Sequence, residues 1–368
     1  MKKLTEILLA LSFLFIVACN HKKSYETVTR IFPDGSCYRE FSGVGDSLFM
    51  VGKMLGSNLF PIIIDSTWKI SWTYSAPTGN RIYSDKWPLK QWNWDKDTSK
   101  HLSLDVIALK MYPNVEAMAK TFRFNHSNWD SIVPKAKLEK RFKWFFTFYK
   151  YYEIYPKYNP LKGISIDSFL TKNEIMLYTS DSPKFSPELN GIEIRDLLNT
   201  IEERKEAWLN VSFFWEYYRI TQKNFPSTKG IPVDTILEAF KDSIFKNDFK
   251  REPRYFMCCM DNYFKTGEFS ALSDSSSAMM ELKIFKENFE KPFSEFLNYN
   301  LIMPGKLVET NAKQTHGDTL SWKVDAYRFF FNDYEIRAES RVANIWAFIV
   351  SGLFILGVAL SFFIKRKG

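Results

Sequence analysis

The chain has 368 residues, of which 45% are hydrophobic and 17% aromatic, and its formal charge is +8. Without residues 1–18 and 345–368 the balance is only +4 over 326 residues. That is ample length for a core and too thin a basic surplus for a nucleic-acid surface, so no nucleic-acid partner is expected. The few cysteines and histidines are scattered without metal-ligand spacing, and neither a metal nor a cofactor is expected.

Lys2 and Lys3 precede the apolar run ILLALSFLFIVA and then Cys19, the layout of an export signal over residues 1–18. Ile16, Val17, Ala18 and Cys19 resemble the lipobox of bacterial lipoproteins, which implies a diacylglyceryl group on the Cys19 sulfur; an uncleaved signal anchor is the alternative. At the other end, residues 345–364 read IWAFIVSGLFILGVALSFFI, uncharged and long enough at about 1.5 Å per residue to cross about 30 Å of hydrocarbon. Lys365, Arg366 and Lys367 follow at once in a tail of residues 365–368, marking the cytoplasmic side. The expected location is therefore the cytoplasmic membrane, with one C-terminal span and the bulk of the chain on the extracytoplasmic side.

After a polar start, YETVTRIF and CYREF flank Pro33-Asp34-Gly35 and predict a β-hairpin. The stretch holding Gly43, Gly45, Gly52 and Gly56 lacks a phosphate-loop ending and reads as a loop or weak helix. Trp68, Ile70, Trp72 and Tyr74 alternate with polar residues and predict a half-buried strand. A long loop with Trp87, Trp92 and Trp94 follows, then a strand in HLSLDVIALKMYP and a short helix capped by Asn114. Residues 142–152, FKWFFTFYKYY, read as one central strand whose Phe142, Trp144, Phe146, Phe148 and Tyr152 share a face. That face is a core surface first and a wall for an apolar ligand second.

From Ile166 to Asn300 the texture is helical. Ile194, Leu197, Leu198, Ile201, Trp208, Val211, Trp215 and Tyr218 recur at helical spacing, TILEAFKDSIFK and AMMELKIFKENFE supply two more helices, and Pro292 ends the last. Ser273 to Ser277 form a helix-entry loop without a paired base. With Cys19 assigned to lipid, Cys37, Cys258 and Cys259 remain: an oxidising compartment permits one disulfide, from Cys37 to one of the pair or between the neighbours, and buried free thiols are the alternative. Short one-sided strands then return at Lys306 to Thr310, Thr319 to Asp325 and Tyr334 to Ser340.

MPGKLVETN, GDTLSWKVD, DYEIRAESR and NIWAF, together with IFPDGSCYREF at the start, resemble the edges of uncharacterised LppM-like membrane-anchored bacterial lipoproteins of Bacteroidetes type. The resemblance implies an envelope location and carries no activity. The expected fold class is α+β: an antiparallel β-rich domain from residues 19–165 and 301–341, with a helical insertion at 166–300 and a transmembrane helix at 345–364. Its closing strands are expected to complete the sheet begun by residues 25–152. No nucleophile elbow or metalloprotease motif occurs, so an enzyme is the weakest reading. A binding or assembly module apposed to the membrane leads, with membrane lipids and neighbouring membrane proteins as partners; an apolar-ligand domain is the alternative. Short tethers at both ends predict a first strand running away from the bilayer and a final strand, Tyr334 to Ser340, running back.

Overall fold

A computed structural model describes residues 23–45, 60, 62–75, 81–84, 104–124, 132–180, 188–245, 249, 251–290, 293 and 295–365. Cys19, the expected export signal and most of the Gly-rich and Trp-rich stretches lie outside the described residues. The chain folds as α+β with two sheets. The hairpin expected at Pro33-Asp34-Gly35 is formed by β1 (Lys23–Ile31) and β2 (Cys37–Gly45), with Gly35 at φ +100° in the turn. β3 (Lys69–Ser75), β4 (Arg81–Ser84) and β5 (Leu104–Tyr112) extend that sheet beyond β2. A short helix α1 (Val115–Thr121) follows, and the Asn114 side chain caps it by accepting from the Ala117 amide at 2.8 Å.

The aromatic run departs from its expected form. It is not one strand but most of a hairpin: β6 (Lys135–Lys143), a turn at Trp144 and Phe145, and β7 (Phe146–Tyr155). The core face of β7 carries Thr147, Tyr149, Tyr151, Glu153 and Tyr155, while Phe146, Phe148 and Tyr152 lie half-buried on the other side. The reason is local. Hairpin turns of two residues usually advertise themselves by Asn-Gly and a positive φ, and neither Trp144 nor Phe145 has one.

The C-terminal strands return to both sheets. β8 (Glu295–Ile302) pairs parallel with β1, and β11 (Thr319–Asp325) pairs with β8, with β10 (Gln314–His316) at the edge. The eight-stranded order is β10-β11-β8-β1-β2-β5-β3-β4. β12 (Tyr334–Ala343) joins β7 to β9 (Lys306–Thr310) in a four-stranded sheet ordered β6-β7-β12-β9. Residues 295–300, expected as helix, are thus strand: Leu297, Tyr299 and Leu301 alternate inward with a period of two once Pro292 has broken the helical pattern.

Strand direction also corrects an expectation. The Pro33 carbonyl, in the β1–β2 turn, accepts from Tyr149 Oη at 3.0 Å and Lys140 Nζ at 2.9 Å. Ser340 Oγ donates to the Pro304 carbonyl just after β8 at 2.8 Å. Gly305, at φ +77°, passes so close that a Cβ there would stand 2.3 Å from the Arg341 carbonyl oxygen. The ends of β1 and β8 therefore lie beside the end of β12, and β1 runs toward the β6–β7 turn rather than away from it. Eight steps of about 3.3 Å place Lys23 about 26 Å back along the strand. A shared core and two interleaved sheets fix this direction; tether length does not.

Between the sheet segments the chain is helical. α2 (Lys172–Thr179) and α3 (Gly191–Asn224) both begin with a capping box, Thr171 with Glu174 and Asn190 with Glu193. α4 (Val233–Phe245), α5 (Pro253–Phe264) and α6 (Ser277–Glu290) surround α3. The second half of α3 is buried on nearly every side, from Trp208 through Thr221, so it is a central helix and not the surface helix that a single stripe implies. Phe213 packs on Phe289 with centroids 4.7 Å apart, and Phe214 on Phe256 at 5.2 Å. α7 (Ala326–Phe331) pins this core to the sheets: Phe329 stacks on Tyr155 on the sheet side, while Phe330 and Phe331 pack on Trp208. α8 (Ile345–Lys365) then leaves the body directly from β12.

Candidate functional site: an aromatic hairpin tip against the apolar helix

Outside α8, three exposed aromatic side chains gather at the turn between β6 and β7. Phe142, Trp144 and Phe145 are 57%, 47% and 39% exposed. Each lies against the first turns of α8. Phe142 stacks on Trp346 with planes 3° apart, Trp144 meets the same indole edge-on at 5.2 Å, and Phe145 packs on Phe348 at 4.7 Å. Trp144 Nε1 donates to Ser351 Oγ at 2.9 Å, so the hairpin tip reaches two turns along the helix.

Asn344 holds the two together. Its Nδ2 donates to the carbonyls of Lys143 and Trp144 at 3.0 and 3.1 Å, its backbone amide to that of Phe145 at 2.9 Å, and its Oδ1 accepts from Thr147 Oγ1 at 2.9 Å. The Ala347 amide in turn donates to the Asn344 carbonyl at 2.9 Å, opening the helix. One residue thus satisfies the turn carbonyls and starts α8. The short tether expected after Ser340 shrinks to Asn344 alone, because β12 continues to Ala343. The junction is a clasp rather than a tether.

Above the tip, register gathers cations. Arg141 pairs with Phe148, Phe148 with Arg341, and Arg341 with Lys306, so the three cations share one row on the outward face of the four-stranded sheet. Lys143 stands in the next row toward the tip, opposite Phe146. Arg341 lies over the Phe146 ring at 4.7 Å and Lys143 over Phe148 at 5.0 Å. Glu339, in the next row away from the tip, lies 3.7 Å from Arg141.

The densest buried polar cluster lies elsewhere, between the two sheets. Arg39 on β2 donates to both Glu153 oxygens at 3.2 and 2.7 Å, to Thr29 Oγ1 at 2.9 Å and to Tyr299 Oη at 2.7 Å. Tyr151, Tyr155 and Tyr299 also donate to Glu153. Burial alone would push the Glu153 carboxyl up; the Arg39 guanidinium and the hydrogen bonds from Arg39, Tyr151 and Tyr299 outweigh it and hold it below the usual carboxylate range. Burial drives the three tyrosines well upward, so they stay protonated donors. The cluster joins the two sheets, tying β2 to β7 and β8.

The sequence-derived sites disperse. Cys37, Cys258 and Cys259 are free thiols, so the disulfide considered for them is not formed. Cys37 sits in the sheet core with its Sγ 3.8 Å from Met118 Sδ, whereas Cys258 and Cys259 lie on α5, where neighbouring Cβ atoms diverge around the helix. His316 is exposed on β10, and His21, His101 and His126 fall outside the described residues. Among the described residues no group of His, Cys, Asp and Glu is placed to hold a metal. A depression of about 200 Å³ between α3 and α4 is lined by Phe169, Val211, Leu237, Ile244 and three charged side chains. The tip itself was missed in sequence because it lacks turn residues; Asn344 after an alternating strand was the signal that could have found it.

No protein-family model matches the chain, and no curated protein and no solved structure matches it either. The resemblance to LppM-like lipoproteins rests on the quoted segments alone.

Proposed function

We propose that the chain is a membrane-anchored binding or assembly module, held against the outer face of the cytoplasmic membrane with α8 as its span. The observation that carries this reading is the clasp. α8 is uncharged from Ile345 to Ile364, nearly all its large side chains are exposed, and Asn344 fixes it to the body without slack. A body joined so closely stays at the bilayer surface, where its partners are lipids and neighbouring membrane proteins. Lys365, Arg366 and Lys367 support a cytoplasmic C-terminus.

Lipidation at Cys19 belongs to the same proposal and acquires a geometric condition. Four residues before Lys23 extend about 14 Å at most, less than the length of β1. A lipid on Cys19 therefore enters the bilayer that holds α8 only if the strands recline along its surface.

Alkaline carbonate should leave the chain in the membrane pellet, and protease added to spheroplasts should degrade the body. Release by carbonate, or protection from the protease, overturns the reading. Cys19→Ser should abolish incorporation of labelled acyl chains while the protein stays membrane-bound through α8. A flexible Gly/Ser insertion placed directly after Asn344 should change the set of cross-linked partners without unfolding the body.

A further inference from the structure

The hairpin tip and the cation row above it form a surface that the anchoring reading does not use. Resting on that reading, we infer that this surface is a second membrane contact: Phe142, Trp144 and Phe145 enter the bilayer interface beside α8, and Arg141, Lys143, Arg341 and Lys306 bind the anionic headgroups of its phospholipids.

Continuity identifies the occupant. The tip aromatics pack on Trp346 and Phe348, and Trp144 bonds to Ser351, so wherever the first two turns of α8 lie in lipid the tip lies at the same depth. Trp144, an aromatic ring with one polar edge, favours that zone between hydrocarbon and water, and Phe142 and Phe145 add apolar surface beside it. The row Arg141–Phe148–Arg341–Lys306 follows about 10 Å further along the strands, three residues at about 3.4 Å each; with the strands inclined by about 45° or more to the membrane normal, as the Cys19 tether requires, that rise is about 7 Å or less and falls within a headgroup layer of about 5–8 Å. Aromatic side chains therefore sit at the depth of the acyl boundary and cations at the depth of the phosphates. The next row of the same face, Glu139, Lys150, Glu339 and Glu309, carries mixed charge, so the basic surplus ends where the lipid ends. The four cations also stand clear of the buried Arg39 cluster on the outward face; Arg141 would exchange its 3.7 Å contact with Glu339 for phosphate.

The full chain carrying photoreactive benzoylphenylalanine at position 145, 354 or 176 is reconstituted in vesicles of phosphatidylethanolamine with phosphatidylglycerol, and adducts are read by mass. Positions 145 and 354 should give lipid adducts and 176, exposed on α2, none. Adducts at 354 without any at 145 overturn the inference and leave anchoring intact. No adduct at 354 overturns the anchoring reading and this inference with it. Should the position-145 protein fail to fold, position 142 gives the same readout. Phosphatidylglycerol should be enriched among the adducts at 145, and Arg141→Gln, Lys143→Gln and Lys306→Gln should each lower that enrichment about five-fold. Enrichment indifferent to all three changes overturns the headgroup assignment.

Discussion

The two cores of this molecule are built on opposite principles. Between the sheets, apolar packing surrounds a buried ion pair whose every partner is accounted for: Arg39, Glu153 and three tyrosines drawn from β2, β7 and β8. Among the helices, the centre is aromatic and apolar around Trp208, Phe213, Phe214 and Tyr217; Lys205 is buried, but its partners Glu202 and Glu206 reach solvent, as does Arg251, and no pair is buried on both sides among the described residues. A buried pair adds little net stability compared with well-packed apolar residues, but it penalises every arrangement that leaves one member alone. Two sheets whose strands come from distant parts of the chain have many wrong registers available, whereas helices on a central helix have fewer. The difference teaches where this fold needs specificity and where bulk suffices.

Breaking the pair should have the largest effect. Glu153→Gln leaves Arg39 charged and buried without its counter-ion, and replaces a carboxylate that accepts from Arg39 and three tyrosines with an amide having one acceptor oxygen. A loss of about 3–5 kcal/mol is expected, measured by denaturant unfolding in detergent micelles. Arg39→Met combined with Glu153→Leu should recover part of it: no charge is left buried alone and the Tyr151 and Tyr299 hydroxyls still bond each other at 3.0 Å, while the Tyr155 hydroxyl loses its Glu153 acceptor. If the double replacement is as damaging as the single, the pair contributes more than pairing specificity and the contrast between the cores fails.

Little of this could be read from the sequence. Glu153 carries no local signal, because the residues that meet it, Arg39 and Tyr299, lie more than a hundred positions away in each direction. Local signals fared better: Pro33-Asp34-Gly35 marks its turn and Asn114 caps its helix, since both act through the backbone of their own neighbours. The strands after Lys306 were legible from alternation, yet their division between two sheets was not, because a period of two names a face and never a partner. The same limit hid the tip at Trp144 and Phe145. Side chains that pack on a distant helix can replace the Asn-Gly chemistry a free turn would need.

Protonation tests the same pair more gently. The Glu153 carboxyl is held below the usual carboxylate range in the folded chain, so the unfolded state binds the proton more readily. The stability this contributes is complete above the unfolded carboxyl value of about 4.3 and is lost as pH falls through the lower folded value. Hydrogen exchange followed from neutral to acid pH should show β1, β2, β7 and β8 losing protection before α3 and α5. Earlier loss in the helices would reverse the comparison.

Within the helical core a change of shape that keeps apolar character should matter less. Phe213→Leu removes edge-on contacts to Phe289 and Tyr217 but strands no polar group. Neighbouring Phe285 and Phe289 can close over the smaller side chain, so a loss of below about 1.5 kcal/mol is expected. A loss matching that of Glu153→Gln would mean that this core is as exacting as the sheets.

The smallest effect is a matter of order. Each core happens to carry one buried thiol, Cys37 between the sheets and Cys259 among the helices, and burial pushes both up to about 11. A thiol so placed is protonated and shielded at neutral pH and reacts only when its surroundings open. Cys258 is exposed and should be alkylated at once, serving as the internal standard. In the unmodified chain Cys37 and Cys259 should be protected together, because α7 ties the cores to each other. In Glu153→Gln the sheet core opens first, so Cys37 should gain reactivity ahead of Cys259 under the same mild denaturant, with mass spectrometry assigning the labelled peptide. Simultaneous labelling of both in that variant would show that α7 makes the two cores one cooperative unit, and that their different construction has no consequence for how the molecule comes apart.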